Sequence, residues 1–487
     1  MYLSHLLPLL LPLAPLTVFA LQNEPKPARR NAGMAPVTIP LIHRRLKFEK
    51  RDRTAEGWDE LINLRGKHGV DPTRFGRRAL NTVSTTNQDA DVGYLVRIQV
   101  GTPPKDFNVY LDTELGDLWL STSSCLRCTS PATGTPFNQT QSSTFSPVQG
   151  TLNTTYGYTH IFGTLGSDVV QLGQFQVSSQ TFGLATSLGG SILIGGSSGI
   201  LGLGFRGRAS SGAIPWWQQA STEWSAPQMS FYLTRSRHGP YATNVEEPGG
   251  QFTLGGTNSS LYQGSINFIN LVHDRYWAIP MTAIGIVNNK DIQVDSGNQV
   301  AVINTDMKFI GGPSSVLDQF YSLIPGARPG SQVSSSLRND YIIPCNTSVQ
   351  ATLTFGDQAY TMQASDLIGG KTSDGKRCLG AFFKLDPQYL SSPGNASTTP
   401  TWVIGSAFLK NVYTVLQSEP AAVGFARLRD NVQEFGTLGV AGFSINENGH
   451  TNGTITGAAS SQSGMTILGG ALWNVIGLVV VLVSTLP

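Results

Sequence analysis

At 487 residues with a formal charge of only +2, the chain lacks the basic excess that nucleic-acid binding draws on, so no nucleic-acid partner is expected. Charged residues make up 13%, about half the ordinary ~25%, while 54 Gly and 27 Pro mark a turn-rich chain without collagen periodicity. A hydrophobic content of 40% excludes global disorder, and the combination favours an extracellular, β-rich protein.

The first predicted element, residues 1–20, is an apolar run from Leu6 that ends Val18-Phe19-Ala20. This fits a signal peptide cleaved after Ala20, and Pro8, Pro12 and Pro15 argue against a membrane span. Residues 21–78 hold 14 Lys/Arg against 7 Asp/Glu. The near-neutral total therefore hides a basic segment and a remainder with a net charge of −5. Dibasic pairs stand at Arg29-Arg30, Arg44-Arg45, Lys50-Arg51 and Arg77-Arg78. We expect a propeptide removed near Arg77-Arg78, its charge complementing an acidic mature domain; a basic tail is the alternative.

Next come two apolar-alternating strands around Gly101-Thr-Pro-Pro104, the second ending at Asp112-Thr113 ahead of Asp117-Leu118-Trp119. Four cysteines follow: Cys125 and Cys128, near enough to close a tiny loop, and Cys345 and Cys378, which would tie a longer one. An even count in an oxidising compartment suggests two disulfides. His160, His238, His273 and His450 show no metal-like spacing, so no metal is expected. Sequons begin at Asn138, Asn153, Asn258, Asn346, Asn395 and Asn452. Two strings are decoys. Gly195-Gly-Ser-Ser-Gly199 imitates a nucleophile elbow, but an apolar strand follows it where the elbow needs a helix. Gly202-x-Gly204-x-x-Gly207 imitates a dinucleotide fingerprint without its βαβ unit.

The Asp112 segment resembles the pepsin-like aspartic protease family, in which Asp-Thr-Gly follows two apolar residues and precedes Asp-Leu-Trp. The resemblance extends over most of residues 90–430. Thr155-Tyr156-Gly157 resembles the flap and its tyrosine, and Gly199-Ile-Leu-Gly-Leu-Gly204 a closing segment of the first lobe. Tyr276-Trp277-x-Ile279-Pro280 resembles the crossing into the second lobe, and Trp402-Val-Ile-Gly405 the end of that lobe. It implies an all-β, bilobal fold with a central cleft, one aspartate per lobe and no cofactor. The four cysteines fall where that family places two disulfides. The expected lobes are 79–270 and 271–437. Ile200-Leu201-Gly202 and Val403-Ile404-Gly405 would each lie behind one catalytic loop.

The second catalytic motif departs from the family. Val302-Ile303-Asn304-Thr305-Asp306 puts Asn304 where the resemblance implies the second catalytic aspartate, and an amide cannot share or transfer that proton. Glu114 and Asp306 replace glycines that let substrate approach. Leu115 and Lys308 replace small hydroxyl residues, Ser198 and Ser406 replace aspartates, and Tyr158, Thr159 and His160 replace small flap residues. Asp112, the flap tyrosine Tyr156, and Trp119, Thr113 and Thr305, which support the cleft, are retained. Asp295-Ser296-Gly297 is a literal alternative triplet, but its polar context suits a turn. Glu114 or Asp306 offers a displaced second acid, although a shift of ~1 Å costs ~100-fold.

Beyond the second lobe, a Ser/Thr/Gly-rich linker (438–465) leads to an apolar tail (466–487) with no basic flank, the pattern of a glycosylphosphatidylinositol signal; a tail-anchoring helix is the alternative. The expected protein is secreted, monomeric and held at the cell surface or wall by a lipid anchor. Its expected partner is a peptide or protein ligand in the cleft, with catalysis impaired. The alternatives are an active acid endopeptidase resembling fungal cell-surface members of the family, and a structural surface glycoprotein.

Overall fold

The computed structural model describes residues 37–41 (as backbone), 91, 93–126, 128, 134–156, 159–190, 192–193, 196–236, 247–372, 377–385, 400–430 and 432. The expected signal peptide, the dibasic pairs, the expected flap-tip residues Gly157 and Tyr158, His238 and His450, the sequons at Asn395 and Asn452 and the expected linker and tail lie outside the described residues.

Strands dominate, as the alternating apolar pattern requires. In Leu95–Val100, Arg97 and Gln99 are half exposed while Val96, Ile98 and Val100 enter the core. The first half forms a seven-stranded sheet. Its spatial order is Leu95–Val100, Lys105–Asp112, Gly199–Gly202, Leu118–Leu126, Phe175–Leu188, Thr159–Leu172 and Ser146–Tyr156. Leu95–Val100 also pairs with Thr159–Leu172, so the sheet curls back on itself. In the second half, the sheet path runs Gln358–Met362, Ala351–Phe355, Ala278–Ile286, Val300–Ile303, Trp402–Ile404, Ile310–Gly312 and Phe382–Lys384. Trp119, Trp216, Trp277 and Trp402 are all fully buried among many aliphatic side chains, and this burial of apolar surface stabilises the fold.

A third, six-stranded sheet joins the halves. It runs Val37–Leu41, Gly250–Leu254, Gln228–Leu233, Val412–Ser418, Ala421–Leu428 and Tyr262–Asn270. Its edge strand comes from the basic segment and pairs antiparallel with Gly250–Leu254, Val37 opposite Leu254. Residues on both sides of the expected boundary at 270 contribute to it.

The two halves build their central loops alike. Lys105–Asp112 runs parallel to Gly199–Gly202, Asp112 beside Gly202; Val300–Ile303 runs parallel to Trp402–Ile404, Ile303 beside Ile404. Each loop then packs against a glycine at the end of its partner strand, Gly202 as the last residue of one and Gly405 just after the other. A Cβ on Gly202 would sit 2.6 Å from the carbonyl oxygens of Leu115 and Asp117, and one on Gly405 would sit 2.3 Å from those of Met307 and Phe309. Backbone atoms cannot yield to such contacts, so both positions require glycine. Disulfides join Cys125 to Cys128 and Cys345 to Cys378.

Candidate active site

The loops that follow Lys105–Asp112 and Val300–Ile303 meet at the centre of the molecule. Thr113 Oγ1 donates to the Ile303 carbonyl and Thr305 Oγ1 to the Leu111 carbonyl, each at 2.6 Å. The Thr305 amide donates to Thr113 Oγ1 at 3.2 Å. Both threonines are buried, so these crossed bonds lock the loops without competition from water.

Asp112 and Asn304 occupy matching places. Asp112 Oδ1 accepts from the amides of Glu114 at 2.7 Å and Leu115 at 3.3 Å. Asn304 Oδ1 accepts from those of Asp306 at 2.8 Å and Met307 at 3.0 Å. An asparagine therefore keeps the turn that an aspartate would make there. The difference lies at the other atom of each group. Asp112 Oδ2 is buried with no hydrogen-bond partner. Asn304 Nδ2 donates to Glu114 Oε2 at 2.9 Å.

Glu114 ties this amide to a cation. Its Oε1 lies 3.1 Å from Arg208 Nη2, and the Arg208 guanidinium stands 4.6 Å from the ring centre of Tyr276. The result is a chain Asn304–Glu114–Arg208–Tyr276. Asp306 is half-buried, and a Cβ on Gly93 would come within 3.5 Å of its Oδ1.

Burial, then the charge of Glu114, pushes the Asp112 carboxyl up to about 7, although the amides of Glu114 and Leu115 and the Arg208 charge pull it back. Burial, then the charges of Asp112 and Glu114, raises Asp306 well above the usual carboxylate range.

The remaining expected residues are distributed as follows. Trp119 is fully buried, its Nε1 unpartnered. Tyr156, half-buried on the flap hairpin, packs against the cluster that holds Trp119, Leu152 and Ile161. Thr159 is buried, whereas His160 faces outward. Lys308 lines a small cavity of ≈ 70 Å³ with Asp91, Arg235, Asp366 and Lys410. Asp295 begins an exposed turn at Ser296–Asn298. Ser197 is fully buried just before the strand Gly199–Gly202, so the elbow string forms no nucleophile site.

Sequence reasoning missed Arg208 and the role of Asp117. Buried Asp117 accepts from the amides and hydroxyls of Ser210 and Ser211, fixing the turn that carries Arg208. No local pattern signals this, since 93 residues separate Asp117 from Ser210.

Among the described residues no group of His, Cys, Asp and Glu is placed to hold a metal. No helix among them is long and apolar enough to cross a membrane.

A family model described as eukaryotic aspartyl protease matches residues 93–428. The chain is 39% identical to major aspartyl peptidase 1 of Cryptococcus neoformans var. grubii over 361 residues, 72% of each protein. It is 31% identical to pepsin II-1 of Oryctolagus cuniculus over 362 residues, 72% of this chain and 86% of that protein. With cathepsin E of Mus musculus the identity is 28% over 400 residues, 80% of this chain and 93% of that protein.

Proposed function

The chain belongs to the eukaryotic aspartyl proteases, the pepsin-like endopeptidases, and from that premise we propose that it is a secreted, surface-held member whose cleft binds peptide without the family's catalysis. One observation carries this reading: the Asn304 amide donates to Glu114 and leaves Asp112 Oδ2 unpartnered. The reaction needs two carboxyl groups that share a proton, one taking a proton from water while the other protonates the substrate carbonyl. An amide performs neither transfer. Asp112 alone does not compensate. With its carboxyl pushed up to about 7, it stays protonated in the acid range and has no free base to offer water. Above that range it supplies a base, but the residue in the matching place, Asn304, is an amide that gives no proton.

The secretory part of the proposal is supported by the leader pattern of residues 1–20, the Arg77-Arg78 site and the spacer and apolar tail after residue 437. Peptide binding is supported by family membership and by the retained flap tyrosine Tyr156, which packs against the buried cluster that holds Trp119.

The test is proteolysis of a mixed peptide pool at roughly pH 3–6, where a carboxylate dyad is singly protonated. The expected result is no cleavage above background, with retained peptide binding that a cleft-blocking substitution abolishes. Cleavage that disappears in Asp112→Ala would overturn it. A second reading, catalysis through a displaced acid, is favoured by the coupling of Asp306 to Asp112. It requires that turnover also disappear in Asp306→Asn or Glu114→Gln. A purely structural glycoprotein would show neither cleavage nor binding.

A further inference from the structure

The outer face of the flap hairpin carries a row of side chains that the cleft does not use. Antiparallel pairing sets Asn153 opposite Phe162 and Phe162 opposite Ser187, and parallel pairing sets Ser187 beside Leu126. Register partners project from the same face of a sheet. Asn153, Phe162, Ser187 and Leu126 therefore form one row across four strands. On the opposite face Leu152 and Ile161 are buried.

Two members of the row are large, apolar and open to solvent, Phe162 at 46% and Leu126 at 70% exposure. Phe162 does not stand alone: the His160 ring stacks on it with centroids 6.1 Å apart and planes inclined by 25°. His160 Nδ1 lies 3.1 Å from Thr155 Oγ1, which holds the ring pair beside the neighbouring strand. That strand contributes Asn153-Thr154-Thr155, an N-glycosylation acceptor, with Asn153 exposed.

We propose that Asn153 carries an N-linked glycan whose first sugars lie over the His160–Phe162 ring pair and extend toward Leu126. A pyranose ring presents a face of C–H bonds to the electron-rich face of an aromatic ring and its hydroxyls to water. Exposed apolar side chains in this row that would otherwise be an aggregation liability are covered by a solvated glycan. The modification forms the bond from the Asn153 amide nitrogen to C1 of the first sugar. It breaks the bond from C1 to the diphosphate of a polyprenol-linked oligosaccharide donor, the leaving diphosphate taking up the amide proton. That donor belongs to the secretory route, so the inference rests on the secretory part of the proposed function. It goes beyond that reading in naming the occupied site and the surface that the glycan covers.

The test uses the full chain secreted from a glycosylating fungal host. Glycopeptide mass spectrometry after enzymatic release in H2¹⁸O should find Asn153 occupied in most copies. Thermal unfolding of the wild type, Asn153→Gln, Phe162→Ser and the double variant then reads the contact. Loss of the glycan should lower the Tm by several degrees when Phe162 is present and by much less in the Phe162→Ser background. Phe162 is half exposed, so its replacement by serine leaves the core intact. Asn153 bare beside an occupied Asn138 would overturn the inference alone, and so would an equal Tm loss in both backgrounds. No glycan at any sequon would overturn the secretory reading and the inference together.

Discussion

One amide in place of one carboxyl changes the chemistry of the central loops while leaving their geometry in place. Asn304 makes the same pair of amide contacts through Oδ1 that Asp112 makes, so Asn304→Asp should fold normally. Its new oxygen would face the Glu114 carboxylate where Nδ2 now lies at 2.9 Å, a repulsion between like charges. We expect acid-range peptidase activity to stay within about tenfold of background in that variant. General acid–base help of roughly 10²–10⁴-fold should return only when Glu114→Gly and Asp306→Gly are added, as read by kcat/KM on a peptide substrate. Asp112 also shapes stability. The folded carboxyl keeps its proton to about 7, while an unfolded aspartate releases it near ~3.9. The folded state therefore binds the extra proton between these values, and stability falls as pH rises through that window. Asp306, raised for like reasons, acts with the same sign. Asp112→Asn should flatten urea-denaturation stability from about pH 4 to 7 and gain on the order of 3 kcal/mol at pH 7.

Each loop depends on the strand behind it and on the threonine opposite. Removing the Thr305 hydroxyl leaves the buried Leu111 carbonyl without its 2.6 Å donor. Thr305→Val keeps the shape and should cost about 1–3 kcal/mol in urea unfolding, most of which Thr305→Ser recovers. A wholly local reading of Thr305, by contrast, expects valine to be tolerated as well as serine. The flap hairpin is recognisable in the sequence from Thr155-Tyr156, but its register, which shifts between Val148 and Thr151, and the ring pair on its outer face follow from cross-strand pairing.

Across the whole molecule, a buried ion cluster fastens the start of the first sheet to the end of the second half. Lys410 Nζ lies 2.6 Å from Asp91 and 3.1 Å from Asp366, and Arg235 lies 2.8 Å from Asp366. Burial opposes charge on Asp366, but Lys410 and Arg235 prevail and hold its carboxyl below the usual range. This contribution is complete above the unfolded value and is lost as pH falls through the folded one, opposite in sign to that of Asp112. Lys410→Met should therefore cost about 3–5 kcal/mol at pH 5, because two carboxylates stay buried with one partner fewer. The edge strand Val37–Leu41 pairs within the joining sheet, so processing near Arg77-Arg78 would leave it without a covalent link to the chain it pairs with. N-terminal sequencing of the secreted form should find a start near Ala79, and a start at Leu21 would defeat the propeptide reading.

By itself the sequence determined what depends on local pattern: strands from alternation, the Asp112 and Asn304 motifs from their apolar flanks, and the glycines behind each loop. It also made plain that the second motif carries an amide, Asn304, where the first carries a carboxyl, Asp112, because that is a property of the residues alone. Only the tertiary structure decided where that amide points. Glu114 and Asn304 are 190 residues apart and Glu114 and Arg208 are 94 apart, so no periodicity links them. Lys308, which stands where the resemblance implies a small hydroxyl residue, lines the small cavity with Asp91 and Asp366. The carboxyl group of Asp112 shows the same division. Its identity is written in the chain, but its affinity for a proton comes from burial and from Glu114, which exist only once the two halves close around it.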